Sequence, residues 1–168
     1  MEPRTSGGLV VSAPARLRVG SRVTIVNVGA KGFELTGTAA VVLAWVALEG
    51  HADRRRLSSA LWPESDAGQA RSNLRVLVHR INQRFGGELL LGAERLALDV
   101  SRLHVELHDT EAVLAALDTG GAARCELLAE AGLEADAGDD LRAWLAGARQ
   151  RLKRLHLAQL SEALNQAL

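Results

Sequence analysis

Arginines 71, 75, 80 and 84 recur at helical spacing in this chain, and Arg54, Arg55 and Arg56 crowd a single turn. A guanidinium carries a permanent charge and five donors in a fixed fork, which suits phosphate oxygens and the paired acceptors of guanine. Among these cations stand Gln69, Ser72, Val76 and His79. Glutamine can pair with adenine, and an exposed valine can touch a thymine methyl. The set therefore reads as a surface for double-stranded DNA, with Gln69, Ser72, Arg75, Val76 and His79 at base edges. Arg54, Arg55, Arg71, Arg80 and Arg84, with Arg95 further on, would lie on phosphates. The bland alternative is a solvated helix face, where arginines and a single exposed valine are ordinary.

Other chemistry is sparse. His104, His108 and Asp109 have a spacing that suits a metal on a helix, but the alternation from Leu103 to Leu107 predicts extended chain. No glycine-rich phosphate loop, nucleophile elbow or cysteine pair is present, so neither catalysis, a metal nor a cofactor is expected. The lone Cys125 cannot form an internal disulfide and reads as a small buried apolar residue in a reducing cytoplasm. Five aromatic residues, none of them tyrosine, argue against a single-strand surface of stacked bases.

With 48% apolar and 24% charged residues over 168 positions, the chain is too apolar to be disordered. Its longest apolar stretch, Ala39 to Leu48, is well short of the roughly 20 residues a membrane helix needs. No basic segment followed by an apolar run opens the chain, so a cytoplasmic protein without a membrane partner is expected. The formal net charge of zero hides a polarity: 13 Lys and Arg face 9 Asp and Glu up to Val100, and 7 face 11 beyond it. A basic first half suits a polyanion; an acidic second half suits a protein surface.

These residues need elements to position them. Residues 1–8 read as a flexible tail. Leu17, Val19, Val23, Ile25 and Val28 alternate with polar residues around a Gly20–Ser21 turn, which predicts an antiparallel sheet, with Phe33 to Leu35 as a last strand. Thr38 can cap a helix through Leu48, apolar nearly all round and ended by Gly50. Asp53 opens a second helix that Trp62–Pro63 closes. Asp66 and Gln69 resemble a capping box ahead of the clearest periodic segment. There Ala70, Leu74, Leu77, Val78, Ile81 and Phe85 form one stripe up to Gly86. A hairpin follows, with runs 88–91 and 95–98 joined by Gly92–Ala93–Glu94.

After a short extended run the pattern turns helical, over 109–117, 122–131 and from about 140 to the end. In the last helix Leu141, Trp144, Leu145, Ala148, Leu152 and Leu155 make one stripe. Leu157, Leu160, Leu164 and Leu168 make a second on another side. A helix apolar on two sides needs two neighbours, so a partner subunit or further helices are expected against it.

Sheet, three helices and a hairpin, in that order, is the plan of a winged helix, whose third helix enters the major groove. The expected architecture is thus an α+β winged helix over 9–100 and an all-α, tetratricopeptide-like domain over 101–168 that continues in further helices. The pieces Leu57–Glu64 (LSSALWPE), Ala70–Arg75 (ARSNLR) and Arg80–Gly86 (RINQRFG) resemble the bacterial SARP-type transcriptional activators. Asp140–Arg149 (DLRAWLAGAR) loosely resembles a helix of that family's activation domain. The resemblance implies an OmpR/PhoB-like winged helix, a helical activation domain and a loop near RNA polymerase, here 63–67. Thr36–Ala40 lacks the family's usual basic start of the first helix, and no aromatic residue lies near Leu96.

The expected function is sequence-specific DNA binding in transcriptional regulation, with activation implied by the resemblance. The alternative is a winged-helix and helical-repeat protein-interaction module that reads no DNA sequence.

Overall fold

The structure is a computed structural model that describes residues 14–26, 32–107, 126–129, 131–133 and 137–168. Strands β1 (Ala15–Val19), β2 (Val23–Val26) and β3 (Phe33–Leu35) form the expected antiparallel meander, with Leu17 opposite Ile25 and Ile25 opposite Phe33. Alternation does what a half-buried sheet requires. Ala15, Leu17 and Val19 are buried while Arg16 and Arg18 are exposed. Val28 lies outside the described residues.

Helix α1 (Gly37–Glu49) is buried from Ala40 to Val46, as an all-round apolar helix must be. It starts earlier than expected, with Thr36 rather than Thr38 at its cap, and it ends at Gly50 in the left-handed region. Two residues later a short strand, β4 (Ala52–Asp53), leads directly into α2 (Arg54–Leu61). Asp53 caps α2 by accepting from the Arg56 N–H at 2.9 Å. Helix α3 (Ala67–Phe85) is capped in the same way by Asp66, which accepts from the Gln69 N–H at 2.9 Å, and it closes at Gly86. Its Ala70, Leu74, Val78 and Ile81 are buried, and the Leu, Val and Ile side chains each contribute roughly 1.5–3 kcal/mol of burial.

The hairpin follows as β5 (Leu90–Leu91) and β6 (Arg95–Leu98), with β5 shorter than the run 88–91. Strand β4 pairs on the other side of β6, giving a three-stranded sheet in the order β4–β6–β5. Sequence periodicity does not reveal a two-residue strand, so β4 was not foreseen.

Strand β7 (Leu103–Glu106) realises the extended run expected there, and its partner is unexpected. It lies beyond the expected boundary at residue 100, yet it pairs in parallel with β1 and completes a four-stranded sheet in the order β3–β2–β1–β7. Arg16 and Arg18 reach Glu106 across this pairing at 3.4 and 3.1 Å.

Of the all-α, tetratricopeptide-like domain expected over 101–168, the described residues beyond 107 contain one α-helix, α4 (Asp139–Ala167). Residues 127–129, expected to be helical, form a turn instead, with Leu128 at φ 58°. The Leu128 N–H donates to the Gly20 carbonyl at 2.8 Å, and the Gly37 N–H donates to the Ala131 carbonyl at 2.6 Å. Helical periodicity could not show that this segment spends its polar groups on the β1–β2 turn and on the start of α1. The expected helix 109–117, the positions 122–125 with Cys125, the pair His108 and Asp109, and the 1–8 tail lie outside the described residues.

Along α4, Leu141, Trp144, Ala148 and Leu152 are buried against the body, but Leu155 is exposed. Leu157 and Leu164 are 56% and 66% exposed, on the far side of the helix from that buried stripe. The architecture is mixed α/β, an N-terminal sheet with four helices among the described residues. None of those helices is long and apolar enough to cross a membrane.

Candidate nucleic-acid interface

Two short cap residues set up the site. Asp53 caps α2 and Asp66 caps α3, and the first turns of both helices line one space. The β5–β6 turn closes the third side. The result is a cleft of about 630 Å³ lined by Asp53, Arg54, Arg55, Gly68, Arg71, Ser72, Leu74, Arg75, Ala93 and Glu94. Four guanidinium-bearing residues face two carboxylate-bearing ones there, and the positive ends of two helix dipoles add to the field. Such a concavity attracts a polyanion.

Five of the residues singled out from the sequence therefore meet in one place: Arg54, Arg55, Arg71, Ser72 and Arg75. Gln69, Val76, His79 and Arg80 are exposed along α3 beyond the cleft, and Val76 is 45% exposed among polar neighbours. The Gln69 side chain donates to the Asn73 Oδ1 at 2.8 Å, and the Arg71 Nε donates to the Ala67 carbonyl at 3.1 Å. Arg84 stands apart. Its guanidinium lies 4.4 Å above the Phe33 ring, so cation–π stacking on β3 orients it. Arg95 is exposed on β6 in register with Asp53. Arg56, the third of its run, points the other way and sits 5.3 Å from the Trp45 ring centroid.

Arg54 is half-buried. Its Nε donates to the Gly92 carbonyl at 2.8 Å, and its backbone N–H donates to the Glu94 carbonyl at 3.0 Å. Burial pulls its guanidinium below the usual value, although an arginine remains charged throughout the physiological range.

Two further residues hold the interface in shape: Asn82, which was not singled out from the sequence, and Gly92 of the expected hairpin turn. Asn82 ties α3 to the hairpin. Its Oδ1 accepts from the Leu89 and Leu90 N–H groups at 3.1 and 2.9 Å, and its Nδ2 donates to the Leu90 carbonyl at 3.1 Å. The available signal was an amide at the edge of the apolar stripe, next to Ile81, four residues before Gly86. Gly92 sits at φ 113°, and a Cβ there would overlap the Arg95 carbonyl oxygen.

On the opposite flank Trp144 and Trp45 stack, and the Trp144 Nε1 donates to the Glu49 Oε1 at 3.2 Å. The Arg151 guanidinium donates to the same oxygen. This hydrogen bond, with help from Trp144, holds the Glu49 carboxyl below its ordinary range against the opposing effect of burial. In the 63–67 segment Pro63, Glu64, Asp66 and Ala67 are exposed. His104 is exposed on β7. Compared with known protein families, curated proteins and solved structures, the chain finds no match.

Proposed function

We propose that this chain is a winged-helix protein that binds double-stranded DNA in a sequence-specific manner and regulates transcription. In this reading α3 enters the major groove and the β5–β6 hairpin is the wing. The observation that carries it is the cleft where Arg54, Arg55, Arg71 and Arg75 converge between two helix N-termini and a hairpin turn. A duplex backbone seated there leaves the exposed face of α3 towards base edges. Gln69, Ser72, Arg75, Val76 and His79 are the readers, and Arg55, Arg71, Arg80, Arg84 and Arg95 take phosphates beside Arg54.

The SARP-type resemblance extends the reading to activation, to a polymerase contact through the exposed 63–67 segment and to a tetratricopeptide-like helical region. The protein then works in the cytoplasm beside its DNA. The exposed Leu157 and Leu164 on α4 serve a helix of a second copy or of that helical region.

The test is selection of duplexes from a random pool, followed by titration of the selected duplex at two salt concentrations against a scrambled competitor. Binding that survives the competitor and weakens steeply with salt supports the reading, because each neutralised phosphate adds about −0.9 to the log–log slope. Equal, weak binding to both duplexes overturns it in favour of a protein-interaction module.

A further inference from the structure

The cations of the cleft differ in what else they touch. Arg55 and Arg75 are exposed, and Arg71 bonds back onto its own helix, whereas Arg54 is half-buried and bonded to the hairpin. We infer that Arg54 is a positioning residue that pins the hairpin turn to the N-terminus of α2 and so sets the cleft that the other arginines share. This inference rests on the DNA-binding reading and names the residue on which the shape of that site depends.

Three contacts converge on the turn. The Arg54 N–H donates to Glu94 and the Arg54 Nε to Gly92, the carbonyls at either end of the three-residue loop. Just beyond the loop β4 and β6 pair, with Asp53 opposite Arg95 and Ala52 opposite Leu96. Strand β4 is only two residues long and contributes little on its own, and the N–H bond to Glu94 is made by the main chain, so the Nε bond to Gly92 is the part of the link that depends on the arginine side chain.

The shape of the turn makes the link specific. Gly92 adopts a backbone conformation closed to other residues, and this aims its carbonyl at Arg54. The donor must also be the right atom. Nε lies four atoms beyond Cα, where lysine has a methylene, and the lysine ammonium sits one bond further out. Lysine therefore preserves the charge and loses the fit.

That difference separates positioning from a simple phosphate contact. Affinity and salt slope for the selected duplex would be measured for wild type, Arg54→Lys, Arg54→Ala, Arg55→Lys and Arg55→Ala. Amide exchange across residues 90–98 would be followed without DNA. Arg54→Lys should lose at least about tenfold in affinity with an unchanged salt slope and faster hairpin exchange. Arg55→Lys should bind like wild type, and Arg55→Ala should lower the slope by about one with hairpin exchange unchanged.

Arg54→Lys binding as tightly as wild type, or exchanging at wild-type rates, overturns the inference. Arg54→Ala that only lowers the slope, with hairpin protection intact, makes Arg54 an ordinary phosphate contact and also overturns it. Should wild type bind no duplex specifically, the DNA reading fails by itself. The exchange arm then decides whether Arg54 holds the hairpin.

Discussion

The indole rings of Trp45 and Trp144 stack with centroids 4.4 Å apart and planes 2° from parallel, joining α1 to α4 across 99 residues of chain. Both rings are buried, and Trp144 also satisfies its N–H on Glu49. Trp144→Ala should therefore destabilise the protein by about 3–5 kcal/mol, measured by denaturant unfolding, with Trp144→Phe costing less.

The Glu49 carboxylate gives this junction a pH dependence. Its folded pKa is depressed, chiefly by the Arg151 hydrogen bond, so its contribution is complete above the unfolded value. That contribution is lost as pH falls through the folded value. The stability difference between wild type and Glu49→Gln should be constant from pH 7 to about 5 and shrink below about 4. A constant difference down to pH 3 would remove Glu49 from the linkage. The pair with Arg151 is partly exposed, so salt should reduce the effect.

Asn82 closes the gap between α3 and β5 with three hydrogen bonds. In Asn82→Ala the N–H groups of the buried Leu89 and Leu90 lose their acceptor, at a cost of about 2 kcal/mol in unfolding free energy. Hairpin amides should exchange faster in the same variant.

Gly92→Ala places a methyl group against the Arg95 carbonyl in a conformation other residues rarely adopt. The hairpin must rearrange, costing at least about 2 kcal/mol, and specific duplex binding should weaken in parallel. Unchanged stability would show that the turn tolerates another shape.

Gly147 is the opposite case. It lies inside α4 with open space where a Cβ would be, so Gly147→Ala should stabilise by about 0.5–1 kcal/mol through helix propensity alone. A thermal melt measures this directly.

Sequence alone determined much of what is local. Asp53 and Asp66 mark helix starts because a short acidic side chain caps exposed N–H groups wherever it precedes a helix. Glycines 50 and 86 mark helix ends because each adopts a left-handed conformation there. The stripe of Ala70, Leu74, Val78 and Ile81 fixes which face of α3 is buried and hence which face carries Gln69, Val76 and His79. The candidate interface was legible to that extent, as a list of residues on one helix face and one helix start.

Tertiary structure alone decided which of them meet. Arg54, Arg55 and Arg56 are adjacent and chemically alike, yet one holds the hairpin, one is exposed in the cleft and one faces Trp45. The parallel pairing of β7 with β1 and the turn at 127–129 depend on partners about 90 and 110 residues away. Periodicity records the faces of an element, since it reports only neighbours within a few turns of the chain. It is silent on the element's partners, because pairing between distant segments is settled by the shape and hydrogen-bonding needs of the packed whole.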